Sequence, residues 1–282
     1  MRRASEDQGG YNLTLFPSLD GFGPTRRTLR LYAQALTSLA RAHAPAHPHW
    51  WHISLKVTPL GLVTSNIPCG NGGILIGQMD FHRACISLAG SDGRSWSIPM
   101  DAGLSGSGMG ERVLAAAAEA GITGEVDSSR FAGDEPGVYD PDAVRRFFTA
   151  IVRAQRVFAR HRAKLGIDAG PIQLWPHGFD LAMEWFGTRV ESYKENSKTL
   201  ELPAQLNLGF YPGDDDASSY FYSSPWPFDS DKLLDRELPA GAVWHTEGWQ
   251  GAMLPYAAVD NEDQVLDFAR DVFDIASPLL TK

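Results

Sequence analysis

Cysteine is scarce in this chain: Cys69 and Cys85 are the only two in 282 residues. Two thiols cannot build a disulfide framework, and such scarcity fits a reducing compartment. Long apolar runs are missing too. No stretch approaches the ~18 residues that a membrane span needs, and the start, Met1-Arg2-Arg3-Ala4-Ser5-Glu6-Asp7, has no apolar core of a secretory signal. Positive charge is in deficit, with a net charge of −9, which excludes a bulk nucleic-acid binder dependent on a positive field. The chain also lacks HExxH, paired CxxC, GxSxG, a P-loop and GxGxxG. The expectation is a cytoplasmic protein with no metal, no cofactor, no nucleic acid and no membrane among its partners. Homo-oligomerisation is left open.

What is present is an ordinary globular composition, 43% hydrophobic and 21% charged. Residues 1–23 are polar and glycine-rich and read as a loosely ordered segment. From Pro24 to about Ala44, Leu29, Tyr32, Leu36, Leu39 and His43 recur every three or four residues, the stripe of a helix. Pro45 and Pro48 stop it. Trp50 to Thr58 alternates, with Trp51, Ile53, Leu55 and Val57 on one side and Trp50, His52, Ser54, Lys56 and Thr58 on the other, the period of a strand. Short strands follow near 61–66, 73–81, 84–89 and 95–100, separated by turn residues. Gly103–Gly110 reads as a flexible linker before an alanine-rich helix near 111–120. Asp140-Pro141 opens the longest helix with a capping aspartate and a first-turn proline. Its arginines face outward, toward solvent, the acidic loop near 214–216 or the acidic final helix near 260–276. Between the two helices lie strands near 171–175, 178–186, 203–211 and 242–248.

The order helix, strands, helix therefore occurs twice. Laid over each other at an offset of 119, the halves coincide at six of the 25 positions from 38 to 62, among them Ile53 with Ile172, Leu55 with Leu174 and Leu62 with Leu181. The expected fold is α+β, mainly antiparallel sheet with helices packed on it. Residues 24–282 form a single compact unit, and 24–121 and 140–277 are two similar α/β halves if the coincidence is a duplication.

Histidine and aromatic residues carry the candidate chemistry. His43, His47, His49 and His52 crowd together, but only His52 sits on a regular pattern, where it shares a strand face with Trp50. An imidazole beside an indole is a stacking surface with a titratable group near neutral pH, and it is also what a solvent-facing histidine looks like. His82 and Asp80 share strand parity, as an acid–base pair or as a hydrogen bond at a strand end. His177, Asp180 and Glu184 cluster. Asp180 and Glu184 lie on one strand face about 13 Å apart, too far for the carboxylate pair of a glycosidase. Eight tryptophans stand out. Trp51 and Trp185 have core parity, whereas Trp50, Trp175, Tyr211, Tyr220, Tyr222 and Trp226 either meet a covering layer or line a groove.

Several segments together resemble an uncharacterised bacterial family known only as a domain of unknown function, over roughly residues 24–277. They are His49-Trp50-Trp51-His52, Gly61-Leu62, Asp80-Phe81-His82, Tyr139-Asp140, Trp175-Pro176-His177-Gly178-Phe179-Asp180-Leu181-Ala182, Gly209-Phe210-Tyr211-Pro212-Gly213, Phe221-Tyr222 with Pro225, and Leu254-Pro255-Tyr256. Family members carry a histidine shortly before the Tyr-Asp pair and another at the start of the second-half segment. This chain has Gly137 and Gln173 there, so a site dependent on those histidines is not carried over. The family has no established activity, and the resemblance implies kinship without mechanism.

Function is therefore expected from the site alone. One reading is a small-molecule-binding protein or enzyme with an aromatic and histidine-lined cleft. His52 or His177 is its general acid–base, Asp180 orients it, and Trp50, His82, Asp80, Trp175 and Tyr222 contact the ligand. The other is a non-catalytic interaction or structural protein, its aromatic face closed by a partner.

Overall fold

The computed structural model of the chain describes residues 16–195, 198–239 and 241–282; the expectation for residues 1–15 lies outside them. The elements run α1 (Gly23–His43), β1 (Lys56–Thr58), β2 (Gly61–Val63), β3 (Ile67–Pro68), β4 (Ile74–Asp80), β5 (Cys85–Gly90), β6 (Ser95–Pro99) and α2 (Gly106–Glu119) in the first half. The second half holds α3 (Pro141–Leu165), β7 (Gln173–Trp175), β8 (Asp180–Glu195), β9 (Lys198–Tyr211), β10 (Tyr220–Trp226), the single turn α4 (Ser230–Leu233), β11 (Val243–His245), β12 (Gly251–Pro255) and α5 (Glu262–Ala276).

The strands form two antiparallel sheets, ordered β1-β2-β4-β5-β6 with β3 on β4, and β11-β12-β10-β9-β8-β7. This is the expected α+β class, and both halves run helix, antiparallel strands, helix. The sheets meet where Leu55 and Leu174 exchange both backbone hydrogen bonds, at 2.9 and 2.7 Å. These two residues are 119 apart, the same offset that superimposes the halves in sequence. Beside them the Ser54 hydroxyl donates to Gln173 Oε1, again across 119 positions. An antiparallel pair that exchanges both bonds is locally two-fold at the point where the two sheets join.

Strand alternation sorts each sheet into two faces. One is apolar and buried: Leu62, Met79, Ile86 and Leu88 in the first sheet, Leu181, Met183, Leu208, Phe210, Phe221 and Leu254 in the second. Helices cover it. Leu36 of α1 packs so closely on Gly77 that a Cβ there would lie 2.4 Å from its methyl carbon. Phe158 of α3 meets Phe221, and Phe273 of α5 meets Trp185 at 5.0 Å. The opposite face carries Lys56, Gln78, Ser87 and Ser97 in the first sheet and Asp180, Glu184, Asn207 and Tyr222 in the second. Asp140 caps α3 by accepting the N–H groups of Asp142 and Ala143, with Pro141 following. Two of the α3 arginines, Arg156 and Arg160, pair with Glu262 and Asp263 of α5. The Arg160–Asp263 pair is exposed and contributes little to stability, whereas Glu262 of the other pair is largely covered.

Four expectations need correction. The strand over Trp50–Thr58 exists only from Lys56; Trp50 is left-handed (φ 59°) and Trp51–Ile53 is a turn of 3-10 helix. The His47 N–H donates to His52 Nδ1 at 3.2 Å, which folds the chain back on itself. His52 is consequently 8% exposed and Trp50 54% exposed, their rings stacked within the turn instead of side by side on a strand face. Second, Gly103–Gly110 is no linker: Ser105 caps α2 by accepting the Gly108 N–H. Gly106 and Gly110 admit Phe131, whose atoms would lie 2.3 and 2.1 Å from added Cβ atoms. Third, residues 16–22 are not loose, because Leu19 and Phe22 are buried and Phe16 packs edge-on against Phe221 and Tyr256. Fourth, β8 and β9 continue past the sheet as a two-stranded arm, after a register shift between Phe186 and Val190. The arm has little buried surface and so no burial pattern to read.

Candidate functional site

The open face of the second sheet is organised around β8. Trp175 of β7 stands opposite Asp180, and Tyr222 of β10 stands opposite Gly209 of β9. The Tyr222 hydroxyl reaches diagonally over β9 and donates to Asp180 Oδ2 at 2.5 Å. Only glycine at 209 permits this, since a Cβ would lie 2.1 Å from ring Cζ and 2.4 Å from the hydroxyl. Gly209→Ala should therefore destabilise by about 1–3 kcal/mol through overpacking and break the Tyr222–Asp180 bond. Urea denaturation and the intrinsic fluorescence of neighbouring Trp249 check it; unchanged stability and spectrum would contradict the stacking.

Burial raises the Asp180 carboxyl above its usual range, opposed first by the Tyr222 bond and then by His177 and Arg26. The Tyr222 phenol is pushed well up by burial and by the Asp180 charge. Arg26, near the N-terminus of α1, holds the turn that leads into β8: its Nη2 donates to the Gly178 carbonyl at 2.5 Å. Its guanidinium lies 4.8 Å from the Tyr211 ring centroid and 3.7 Å from Asp214. Phe179, just before Asp180, is left-handed (φ 57°) and buried, its ring stacked 5.2 Å from Phe147. A non-glycine residue in that region is strained, and such strain persists where the surroundings over-determine it. Tyr211, Tyr220, Trp249 and His245 extend the aromatic wall with centroid separations of 4.6–5.8 Å.

Four residues along β8, Glu184 stands directly opposite Asn207. Burial, with the Asp180 charge adding to it, pushes the Glu184 carboxyl up to about 7, while the Trp51 indole on its flank works in the other direction. Among the described residues, buried Asn207 Oδ1 and Gln173 Nε2 lack a hydrogen-bond partner, and the Trp51 indole and the Glu184 carboxyl have none besides each other. Trp51 is held in place by stacking on His47 at 4.3 Å and by Gly170, whose missing side chain leaves room for the indole. His49 adds a contact to Phe186 at 4.6 Å. No group of three or more His, Cys, Asp or Glu among the described residues could hold a metal.

The structure brings Trp175, His177, Asp180 and Tyr222 together. It places the other predicted residues elsewhere. His52 and Trp50 stack on each other at 5.7 Å in the turn after α1, where Arg41 lies over Trp50. Burial, Arg41 and His47 lower the His52 pKa. Asp80 accepts the N–H groups of His82 and Arg83 at 3.0 and 2.9 Å, so its carboxylate caps the β4–β5 turn rather than orienting an imidazole. His82 packs edge-on against Phe148 of α3, its Nε2 3.1 Å from the Pro59 carbonyl. Glu184, Asn207, Trp51, Gln173 and Arg26 were not among the expected site residues. The signal for Glu184 was its shared strand face with Asp180. A cavity of about 540 Å³ lies between the Phe16–Gly23 segment, the Pro212–Ser219 loop and Tyr256–Val259, but no unpartnered buried polar atom lines it.

Two antiparallel sheets joined on a local two-fold, helices on one face and an acidic, aromatic surface on the other, define an α+β protein with one open sheet face. The chain belongs to DUF5996, a family of unknown function, whose model matches residues 16–281. No curated protein and no solved structure matches the chain. No helix among the described residues is long and apolar enough to cross a membrane.

Proposed function

We propose that this protein binds a small organic molecule on the open face of its second sheet, between Trp51, Glu184, Asn207 and Tyr222, with Glu184 placed for general acid–base chemistry. One observation carries the reading: a carboxyl group raised to about 7 stands beside the Trp51 indole that bonds it, with Asn207 Oδ1 opposite and Gln173 Nε2 on the neighbouring strand both buried without partners. Each such atom costs about 1–3 kcal/mol when unsatisfied, and a purely structural surface has no use for that cost. A general acid–base works best with a pKa near the working pH, and strongly shifted groups gather at functional sites. In this arrangement Asp180 and Tyr222 orient one end of the ligand, and His177 and Trp175 border it. Cys69 and Cys85 are both free thiols, which fits action in the cytoplasm.

A metabolite thermal-shift screen tests the proposal, because a ligand of the native state must raise the melting temperature. At least one compound should raise it in the parent protein and fail to do so in both Glu184→Gln and Tyr222→Phe. A screen with no such compound, or shifts that survive both substitutions, would remove the site. The interaction reading is favoured by one observation, the exposed Tyr193, Leu200 and Leu202 on a single side of the β8–β9 arm.

A further inference from the structure

The turn between α1 and β1 is closed by imidazole rings. The His49 N–H donates to His47 Nδ1 at 3.1 Å, and the His47 N–H donates to His52 Nδ1 at 3.2 Å. Carbonyls close the rest of it, those of His47 and Trp50 accepting from the Trp50 and Ile53 N–H groups. A carbonyl accepts at any pH. A ring nitrogen accepts only while it holds a lone pair, and an imidazolium is a donor at both nitrogens. Both Nδ1 atoms are therefore unprotonated in this turn, which makes His47 and His52 neutral rings with the proton on Nε2. A proton on either Nδ1 sets one N–H against another.

The surrounding charges do not hold the turn shut in acid. Burial lowers the His52 and His49 pKa values; Arg41 of α1 and His47 lower that of His52 further, and His47 lowers that of His49. Asp127 lies near Arg41 but pairs with Arg130. His43, in the last turn of α1, packs on Gly124. Glu184 of β8 meets the Trp51 indole, and Arg162 of α3 is spent on the Ala169 and Gly170 carbonyls beside it. Among the described residues, no carboxylate pairs with any of the three rings. Trp51 depends on this turn for its position, stacked on His47 at 4.3 Å with His49 at 5.3 Å. The His47 and His49 rings are 5.7 Å apart, so charging both adds repulsion. An imidazolium stacked on an indole is attractive in itself, but that stack needs only the two side chains, not the bend that carries Trp51 to β8.

We propose that the His47–His52 turn is an acid-sensitive latch: when His47 and His52 take up protons, both amide-to-ring bonds are lost, the turn opens and the Trp51 indole leaves the flank of Glu184. The latch does not depend on a ligand at the open face. Imidazoles take up protons below about pH 6.5. The open turn binds protons that the closed turn refuses, so each ring lowers the ratio of closed to open by up to about tenfold per pH unit, and the two together by up to about a hundredfold. The contribution is whole above that pH and is lost as pH falls.

Nuclear magnetic resonance of the full chain tests it. At pH 8 the side-chain nitrogen shifts of His47 and His52 should be those of neutral rings protonated on Nε2; a proton on Nδ1 of either overturns the latch. Between pH 6.5 and pH 5 the Trp51 indole N–H, assigned by its loss in Trp51→Phe, should move to the position of a solvent-exposed indole, with more than one proton taken up across the step. His47→Asn and His52→Asn each put a non-titrating oxygen where Nδ1 stands, so the double variant should hold Trp51 in place down to pH 5. Glu184→Gln should keep the step, because the carboxyl is not its source. A step that persists in the double variant, or one that vanishes in Glu184→Gln, overturns the proposal. If circular dichroism shows the double variant unfolded, the parent protein decides: an indole that stays in place at pH 5 while both rings are charged overturns it equally.

Discussion

Phe221→Ala should lose about 3–5 kcal/mol of folding stability, the range for removing a buried phenylalanine ring. The residue points to the covered side of β10 and is fully buried. Its ring lies 5.0 Å from Phe210 of β9, 5.5 Å from Phe16, 5.9 Å from Tyr256 and 6.4 Å from Phe158 of α3. Four parts of the chain distant in sequence converge on this one side chain, so collapse around the void must move all of them. Urea denaturation at pH 7 checks the value, with the slope against denaturant unchanged if only the folded state is affected. A loss below about 1 kcal/mol would mean that the cluster repacks freely. Tyr222 is the next residue, on the other side of the same strand, so ligand binding should weaken along with stability.

Glu184→Gln should do the opposite at high pH and stabilise the protein. The folded chain holds the Glu184 proton up to about 7, whereas the ordinary glutamate value is 4.5. Below about pH 4.5 both folded and unfolded states are protonated, and the group contributes no pH-dependent change. Between about 4.5 and 7 the unfolded state releases its proton first, so stability falls as pH rises. Above about 7.5 the full penalty is present, about 2–3 kcal/mol after allowance for partial access to solvent. Glutamine carries no charge and escapes this loss. The two proteins should therefore agree near pH 4 and diverge by that amount at pH 8, read from urea midpoints across the range. Equal stabilities at pH 8 would show that Glu184 is solvated and ordinary. A variant that is more stable and yet fails to bind is the expected signature of a residue kept for function.

Buried His161 on α3 works in the reverse direction. Burial lowers its pKa to about 4, so the folded state keeps it neutral while the unfolded chain takes up a proton below about 6.5. Its contribution is present above that value and is lost as pH falls toward 4. Acid and base thus weaken the molecule through different groups.

Where one face of an element is buried, the sequence was readable. The stripes of α1 and α3, the Asp140-Pro141 start and most of the strands follow from periodicity and capping, although β10 and β12 are not among those expected, and the offset of 119 reappears in the structure as the Leu55–Leu174 bridge. Trp51–Ile53 was not readable, because aromatic and polar residues that alternate along a strand can equally fill a tight turn. The backbone bond from His47 to the His52 ring that decides the matter leaves no periodic trace. Asp80 and His82 had the right spacing for a pair, but backbone amides compete for a carboxylate at a turn, and here they win. Glu184 was visible only as one acid in an alternating strand. Its character depends on standing opposite Asn207 and beside Trp51, which requires the β8–β9 register and the turn after α1, neither deducible from local pattern. Gly209 was visible as a residue but not as the floor on which Tyr222 rests.

The mutual bond between Leu55 and Leu174 has a further consequence. At that point each sheet ends in a border strand whose unpaired amides and carbonyls would otherwise invite another chain. Joined in one polypeptide, each border caps its counterpart, and the two halves are free to differ. The first is free to keep a serine-rich outer surface of no marked chemistry while the second accumulates acids, phenols and indoles. Separated at residues 121–140, the halves would lose that mutual capping, and each would be left to pair with a stranger or with itself.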